Sequence, residues 1–195
     1  MNSGAIPEQA AALRLTDPYQ ALSALEAAVP GMAALRRAEP ACFDWAAVES
    51  GLGTALPADF KLLAQLYPPL SFGNYMAFHT PPLGAEQEWA KVALEEEADT
   101  ADLLDVDDLS GDLSAYPAPG GLLVWGSSNQ GDTFLWSTDS TSPQQWKVTV
   151  ATHNSDWWHY TAGAVQFTAD LIAGTLEPWG LPAVRPEVAA IGGGT

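Results

Sequence analysis

Residues 122–136 have the sequence LLVWGSSNQGDTFLW, and this stretch decides the fold class. Apolar and aromatic residues fill 122–125 and 133–136, and a polar turn rich in Gly, Ser and Asn lies between them. Two short runs of this kind around a turn predict a pair of antiparallel strands. A further strand is expected at 145–150, so the second half of the chain is predicted to supply much of a sheet.

Helical patterns surround these strands. Asp17 and Pro18 precede apolar residues spaced by three and four, as expected of a capped amphipathic helix that ends at Pro30. The same criteria predict further helices over 45–52, 57–67, 86–99 and 164–173. A short hairpin is expected over 70–78, with Gly73 and Asn74 at its turn. Helices first and strands later predict an α+β fold with a mostly antiparallel sheet and helices packed against it.

The periodicity also predicts which large side chains form the core. An apolar residue that recurs on one side of its helix or strand is expected to pack inward. The core residues predicted in this way are Trp45, Phe60, Leu63, Trp125, Phe167 and Leu171.

Composition excludes several classes of protein. The chain has 195 residues and a formal charge of −17, from 24 acidic and 7 basic side chains. Such a charge repels nucleic acid and anionic membrane surfaces and favours a basic partner. The single cysteine, Cys42, excludes a disulfide framework and fits the reducing cytoplasm. Neither a signal peptide nor an apolar run long enough to cross a membrane is expected from the sequence.

The negative charge is concentrated in one region. Between Glu86 and Asp112 there are eleven acids and a single basic residue, Lys91. A solvated face that keeps the protein soluble is the simplest interpretation for any one of these acids. Their clustering favours a docking surface for a basic protein, because charge of one sign steers an oppositely charged partner.

Motifs for catalysis, cofactors and metals are missing from the sequence. The three histidines have no metal-ligand spacing, and the acids around Asp105 lack the glycine of a calcium-binding loop. Ser127 and Ser128 follow Gly126 but do not form a nucleophile elbow. Phosphate-binding glycine motifs are also lacking. The sequence therefore predicts no enzyme activity, no cofactor and no bound metal.

The chain has eight tryptophans, which the motif search does not explain, and most of them are expected in the core. Trp157 and Trp158 are adjacent, so in a strand they point to opposite faces, and one of them is expected to look away from the core. That residue would be available as an aromatic anchor for a partner.

Residues 43–176 resemble the SUKH superfamily, which includes the yeast cell-wall assembly regulator and many bacterial immunity proteins. The resemblance depends on an ordered series of features rather than on any single motif. They are Trp45 with Val48-Glu49, the helix opened by Leu56-Pro57-x-Asp59-Phe60, the aromatic hairpin ending in Pro81, Leu123-Val124-Trp125-Gly126 followed by Gly131-Asp132 and Trp136, Trp146-x-Val148, and Phe167 with Leu171-Ile172-x-Gly174. This chain has Tyr67-Pro68-Pro69 where the family usually has a glycine-containing turn.

The resemblance implies a SUKH-like α+β domain over 43–176. Outside the resemblance, the sequence predicts an N-terminal helical extension (1–42) and, from its prolines and glycines, a loosely held tail (177–195). It also implies a non-catalytic cytoplasmic immunity protein that binds and neutralises a toxin, often a nuclease. Together with the charge, this predicts a basic toxin that docks on the residues Glu95, Glu96, Glu97, Asp105, Asp107, Asp108, Asp132, Trp157 and Trp158. Two alternatives stay open: a tryptophan-lined small-ligand-binding domain or enzyme, and a regulatory protein-interaction scaffold.

Overall fold

A computed structural model describes residues 6–106 and 113–192 of the chain. Within these residues it has five α-helices and an eight-stranded sheet, which confirms the predicted α+β fold. The helices are α1 (Pro18–Ala28), α2 (Trp45–Leu52), α3 (Ala58–Leu66), α4 (Glu86–Val106) and α5 (Ala164–Ala173). The strands are β1 (Glu8–Gln9), β2 (Leu70–Phe72), β3 (Met76–Phe78), β4 (Leu122–Ser128), β5 (Thr133–Ser137), β6 (Lys147–Ala151), β7 (Trp157–Tyr160) and β8 (Val188–Ala190).

The sheet has the strand order β1-β7-β6-β5-β4-β3-β2-β8. All its strand pairs are antiparallel except β1 with β7. The predicted hairpin of β4 and β5 lies at the centre, and its register shifts between Val124 and Gly126. A Cβ at position 126 would lie 2.6 Å from the carbonyl oxygen of Ala77, so only glycine lets β3 approach β4 there.

The main core lies between one face of the sheet and helices α1, α2, α3 and α5, and Ala90 of α4 is also part of it. Aromatic rings from the sheet meet rings from the helices, with 5.1 Å between the centroids of Phe60 and Trp136 and 6.1 Å between those of Trp125 and Phe167. Five of the six predicted core residues are buried. Trp45 is half-buried at the margin of this cluster, because it is the first residue of α2.

The opposite face of the sheet carries a second, smaller apolar cluster. Its buried members are Leu104 of α4 together with Leu122, Leu135, Ala151 and Trp157 of the strands. The final turns of α4 therefore cover a face of the sheet that strand alternation alone would leave to solvent. Helix α4 was predicted to end at 99 and extends seven residues further, which brings Leu104 over the strands.

Both ends of the described chain join the same sheet. Strand β1 pairs with β7, and α1 packs against α3 and α5. Strand β8 pairs with β2, and Leu181 and Val184 are buried on the way to it. The expectation of a loosely held tail is therefore wrong for 177–192. Whether 43–176 folds independently of the outer segments stays a prediction.

Candidate functional site

Most acids of the predicted docking region lie on α4. Glu88, Glu95, Asp99 and Asp102 are exposed and follow one another at intervals of seven, four and three residues. At 3.6 residues per turn these positions share one side of the helix. We call these four residues the acidic stripe. Glu96 and Asp105 are also exposed and flank it.

The acidic stripe is poorly neutralised by the protein itself. Among the described residues, the one ion pair of an α4 acid is between Glu95 and Lys91, 3.7 Å apart and exposed. The last turn of α4 has no basic residue, although a positive charge there would stabilise the helix by interacting with its dipole. Acids four residues apart, such as Glu95 and Asp99, repel each other by about 0.2–0.5 kcal/mol. The arrangement costs helix stability and leaves a negative surface.

Two of the predicted docking residues, Asp107 and Asp108, lie outside the residues that the structure describes. Glu95, Glu96 and Asp105 are exposed as a docking residue must be. The remaining four, Glu97, Asp132, Trp157 and Trp158, are buried, and their assignment to an exposed docking surface is wrong.

Asp132 is a structural anchor of the turn between β4 and β5. Its side chain is 0% exposed and accepts hydrogen bonds from the hydroxyls of Tyr75, at 2.5 Å, and Ser128, at 2.6 Å. The backbone N–H of His153 donates to it at 3.0 Å, and Nδ1 of His153 lies 2.8 Å away. Burial opposes ionisation, but these hydrogen bonds outweigh it and lower the pKa of Asp132. The carboxylate holds the turn together and cannot reach a partner.

Trp157 and Trp158 do point to opposite faces of β7, but both faces are covered. Trp158 is 1% exposed in the main core, and Trp157 is 7% exposed in the second cluster. Their edges contribute to an open groove of about 430 Å³ with Trp179, Asp156, Gly180 and Pro7. The expected exposed anchor is absent because α4 and the residues before β1 cover the second face.

A smaller cavity lies between α4 and the central strands. It has a volume of about 160 Å³, and its walls include His79, Trp89, Ala93, Glu96, Glu97 and Val124. We call it the α4 cavity. Glu97 lies on its wall and is 4% exposed. His79 follows β3, and its Nε2 lies 2.8 Å from the hydroxyl oxygen of Ser127.

Two of the titratable groups in the wall of the α4 cavity, Glu97 and His79, have shifted pKa values. Burial raises the pKa of Glu97 to about 7, although hydrogen bonds from the Val124 N–H and the Thr100 side chain oppose the shift. The nearby charge of Glu96 raises it further. Burial lowers the pKa of His79, and Glu96 opposes that change. The cavity therefore holds a neutral imidazole and a carboxyl group that titrates near neutrality.

The helical spacing of the sequence already indicates that Glu97 is buried, which a count of the acidic residues does not show. Ala90, Glu97 and Leu104 are spaced by seven residues, and all three are buried. An acid in the buried series of an amphipathic helix stands out by its position rather than by its residue type. Within a run of three glutamates, this position distinguishes Glu97 from its exposed neighbours.

No family model matches the chain, and neither the curated proteins nor the solved structures contain a match. Among the described residues, three or more His, Cys, Asp or Glu side chains nowhere form a group that could hold a metal ion. Across 6–106 and 113–192, the helices are all too short or too polar to cross a membrane.

Proposed function

We propose that this chain is a non-catalytic cytoplasmic immunity protein that binds and neutralises a basic toxin or effector, such as a nuclease. The acidic stripe of α4 carries the proposal, because it concentrates exposed negative charge that one exposed ion pair, between Glu95 and Lys91, neutralises only in part. The resemblance of 43–176 to the SUKH superfamily supports the same role. A nuclease toxin would itself be basic, since it must approach a phosphate backbone.

The stripe is suited to docking because α4 is held in place along its length. The helix packs on α2 near its start, contacts β4 through Glu97 at its middle, and buries Leu104 near its end. A charged surface on a fixed helix does not need to be ordered when the partner binds, so little conformational entropy is lost. The revised docking surface consists of the acidic stripe with Glu96 and Asp105 at its sides.

The experiment is co-expression of the chain with the toxic product of a neighbouring large gene, with growth as the measurement. The wild-type chain is expected to restore growth. A stripe variant, Glu95→Gln with Asp99→Asn and Asp102→Asn, is expected to protect poorly. A matched control, Glu39→Gln with Asp139→Asn and Glu187→Gln, removes the same charge from exposed acids elsewhere and is expected to protect fully.

Equal protection by the stripe variant and the control would reject the stripe as the docking surface. Protection by neither, with both variants folded, would mean that total charge rather than position matters.

The open groove lined by Trp157, Trp158 and Trp179 supports a second candidate, a small-ligand-binding domain. The groove combines three indole rings with the Asp156 carboxylate, a composition suited to a sugar or a nucleoside. Quenching or a shift of tryptophan fluorescence on titration with such compounds, and its loss in Trp179→Ala, would favour this candidate over the immunity protein.

A further inference from the structure

The open groove beside β7 has an accessible carboxylate next to its aromatic rings. It has a volume of about 430 Å³, and we call it the tryptophan groove after three of its lining residues, Trp157, Trp158 and Trp179. Asp156 also lines it and is exposed, and its carboxylate has no hydrogen bond or ion pair among the described residues. A Cβ at Gly180, another lining residue, would lie 3.3 Å from Oδ2 of Asp156, so this oxygen lies at the wall of the groove.

The turn between β6 and β7 fixes the backbone of Asp156. Its N–H donates to the Thr152 hydroxyl at 3.1 Å, and its carbonyl oxygen accepts from the Thr152 N–H at 2.9 Å. In the same turn the N–H of His153 donates to buried Asp132 at 3.0 Å, which ties the turn to the hairpin of β4 and β5. A carboxylate on a fixed turn loses little conformational freedom when a cation binds to it.

The ring of Trp179 is also held in place. Its Nε1–H donates to Oε2 of Glu177 at 2.9 Å. The side chain of Gln9 accepts from the Glu177 N–H at 3.0 Å and donates to the Glu177 carbonyl oxygen at 2.7 Å. Trp179 is half-buried, with its ring centroid 5.6 Å from that of Trp158. Among the described residues Glu177 has no ion pair, so a second negative charge lies beside this ring.

An aromatic ring between two unpaired carboxylates favours a planar cation. A guanidinium stacks on aromatic rings, donates two parallel hydrogen bonds to a carboxylate and is less strongly hydrated than an ammonium group. The volume is sufficient, because a cavity of about 150 Å³ accommodates benzene and ethylguanidinium has the same number of heavy atoms. The tryptophan groove therefore has room for the end of an arginine side chain and for the chain that carries it.

The tryptophan groove is close enough to the acidic stripe for one partner to contact both. Trp157 belongs to the same apolar cluster as Leu104 of α4, on the second face of the sheet. Helix α4 contacts β4, and two strands separate β4 from β7. At about 4.8 Å per strand this distance is about 14 Å, within the width of an ordinary protein interface.

We propose that the tryptophan groove binds one arginine side chain of the basic partner, with the Asp156 carboxylate as its acceptor and Trp179 as its stacking surface. This inference rests on the proposed function and names the side chain that anchors the partner. Tryptophan and arginine are both enriched among the residues that dominate binding energy at interfaces. The acidic stripe would speed association, and the bound arginine would slow dissociation.

The test uses ethylguanidinium as the probe, at constant ionic strength, with the NMR signals of the Trp179 indole N–H and the Gly180 backbone N–H as the measurement. Saturable shifts of both signals are expected in the wild-type protein. Asp156→Asn keeps the size of the side chain and is expected to bind the probe about three- to fivefold more weakly. Asp139→Asn removes the same charge from an exposed residue near the other end of β6 and is expected to bind it normally.

Two further probes keep the test independent of any variant's folding, because both are used with the wild-type protein. Ethylurea has the shape of ethylguanidinium without its charge, and ethylammonium has the charge without the planar group. Both are expected to bind more weakly than ethylguanidinium. Shifts that do not saturate, equal binding by Asp156→Asn, or equal binding of ethylurea would overturn the proposal. Equal binding of ethylammonium would overturn the assignment to arginine, and tighter binding of glucose or adenosine would assign the groove to a neutral small ligand instead.

This test involves no partner protein, so its failure is distinguishable from failure of the proposed function. If the probe does not bind but the stripe variant still loses protection, the anchor is wrong and the docking surface stands. If the probe binds but the stripe variant protects as well as wild type, the docking proposal fails by itself.

Discussion

Replacing Glu97 by glutamine should change how the stability of the protein depends on pH. The pKa of Glu97 is about 7 in the folded protein, against an ordinary value of 4.5. Between these two values the folded protein binds more protons than the unfolded chain, so the free energy of unfolding falls as the pH rises. Integrated from pH 5.5 to 8.5, the loss due to Glu97 is about 2 kcal/mol.

The assay is urea unfolding of the wild-type protein, Glu97→Gln and Glu39→Gln at both pH values. Burial also lowers the pKa of His79, and it lowers that of His159 to about 4, so both histidines change the stability in the opposite direction. Their contributions are common to all three proteins and cancel when a variant is compared with wild type.

The stability of Glu97→Gln relative to wild type should therefore rise by about 2 kcal/mol between pH 5.5 and 8.5. Glu39→Gln should stay within about 0.5 kcal/mol of wild type. A difference for Glu97→Gln that is the same at both pH values would refute the assignment of a raised pKa to Glu97.

Three other substitutions or deletions test the fold. Gly126→Ala should destabilise the protein by at least about 2 kcal/mol in urea unfolding, because the new Cβ would lie 2.6 Å from a backbone oxygen of β3; an unchanged midpoint would mean that the strands can separate without cost. Deletion of 177–195 should lower stability by about 3 kcal/mol or more, since it removes β8 and the buried side chains of Leu181 and Val184; retention of the full melting temperature would restore the idea of a dispensable tail. Asp132→Asn should cost about 1–3 kcal/mol at pH 7. The destabilisation caused by Asp132→Asn should shrink as the pH falls towards the lowered pKa of Asp132, where the wild type loses the same charge. A destabilisation that does not depend on pH would contradict the claim that Asp132 is ionised in the folded protein.

The elements that the sequence predicts well have strong local signals. The Asp17 side chain accepts a hydrogen bond from the N–H of Tyr19 at the start of α1, as its position before Pro18 indicates. Gly73 and Asn74 have positive φ at the predicted hairpin turn. Alternation around Trp125 and Trp136 likewise identifies the two central strands, because burial on one face imposes a period of two.

The elements that were missed depend on tertiary contacts. Strands β1 and β8 have two and three residues, too few to show any periodicity. They form because β7 and β2 offer unpaired backbone groups at the edges of the sheet. Prolines at 178, 182 and 186 suggested a loose tail, but proline constrains the backbone without preventing the packing of Leu181 and Val184.

The candidate site was predicted in its charge but not in its geometry. Counting acids identifies the region of α4, and the helical period then separates exposed Glu95 from buried Glu97. That Trp157 is covered could not be inferred, because the covering residue, Leu104, lies beyond the predicted end of the helix. Asp132 resembles any exposed turn acid until Tyr75 and His153 are placed around it by the sheet.

The most direct test of the docking surface is the association rate of the cognate basic toxin, measured at ionic strengths from about 0.01 to 0.15 M, over which the Debye length falls from about 30 to 8 Å. For the wild-type chain, and for the control with Glu39, Asp139 and Glu187 neutralised, the association rate is expected to fall several-fold as salt is added, while the dissociation rate changes little. For the variant with Glu95, Asp99 and Asp102 neutralised, we expect a low association rate already at low salt and a weaker dependence on salt. An association rate that is independent of salt, or that both variants lower equally, would contradict the claim that the acidic stripe of α4 is where the partner docks.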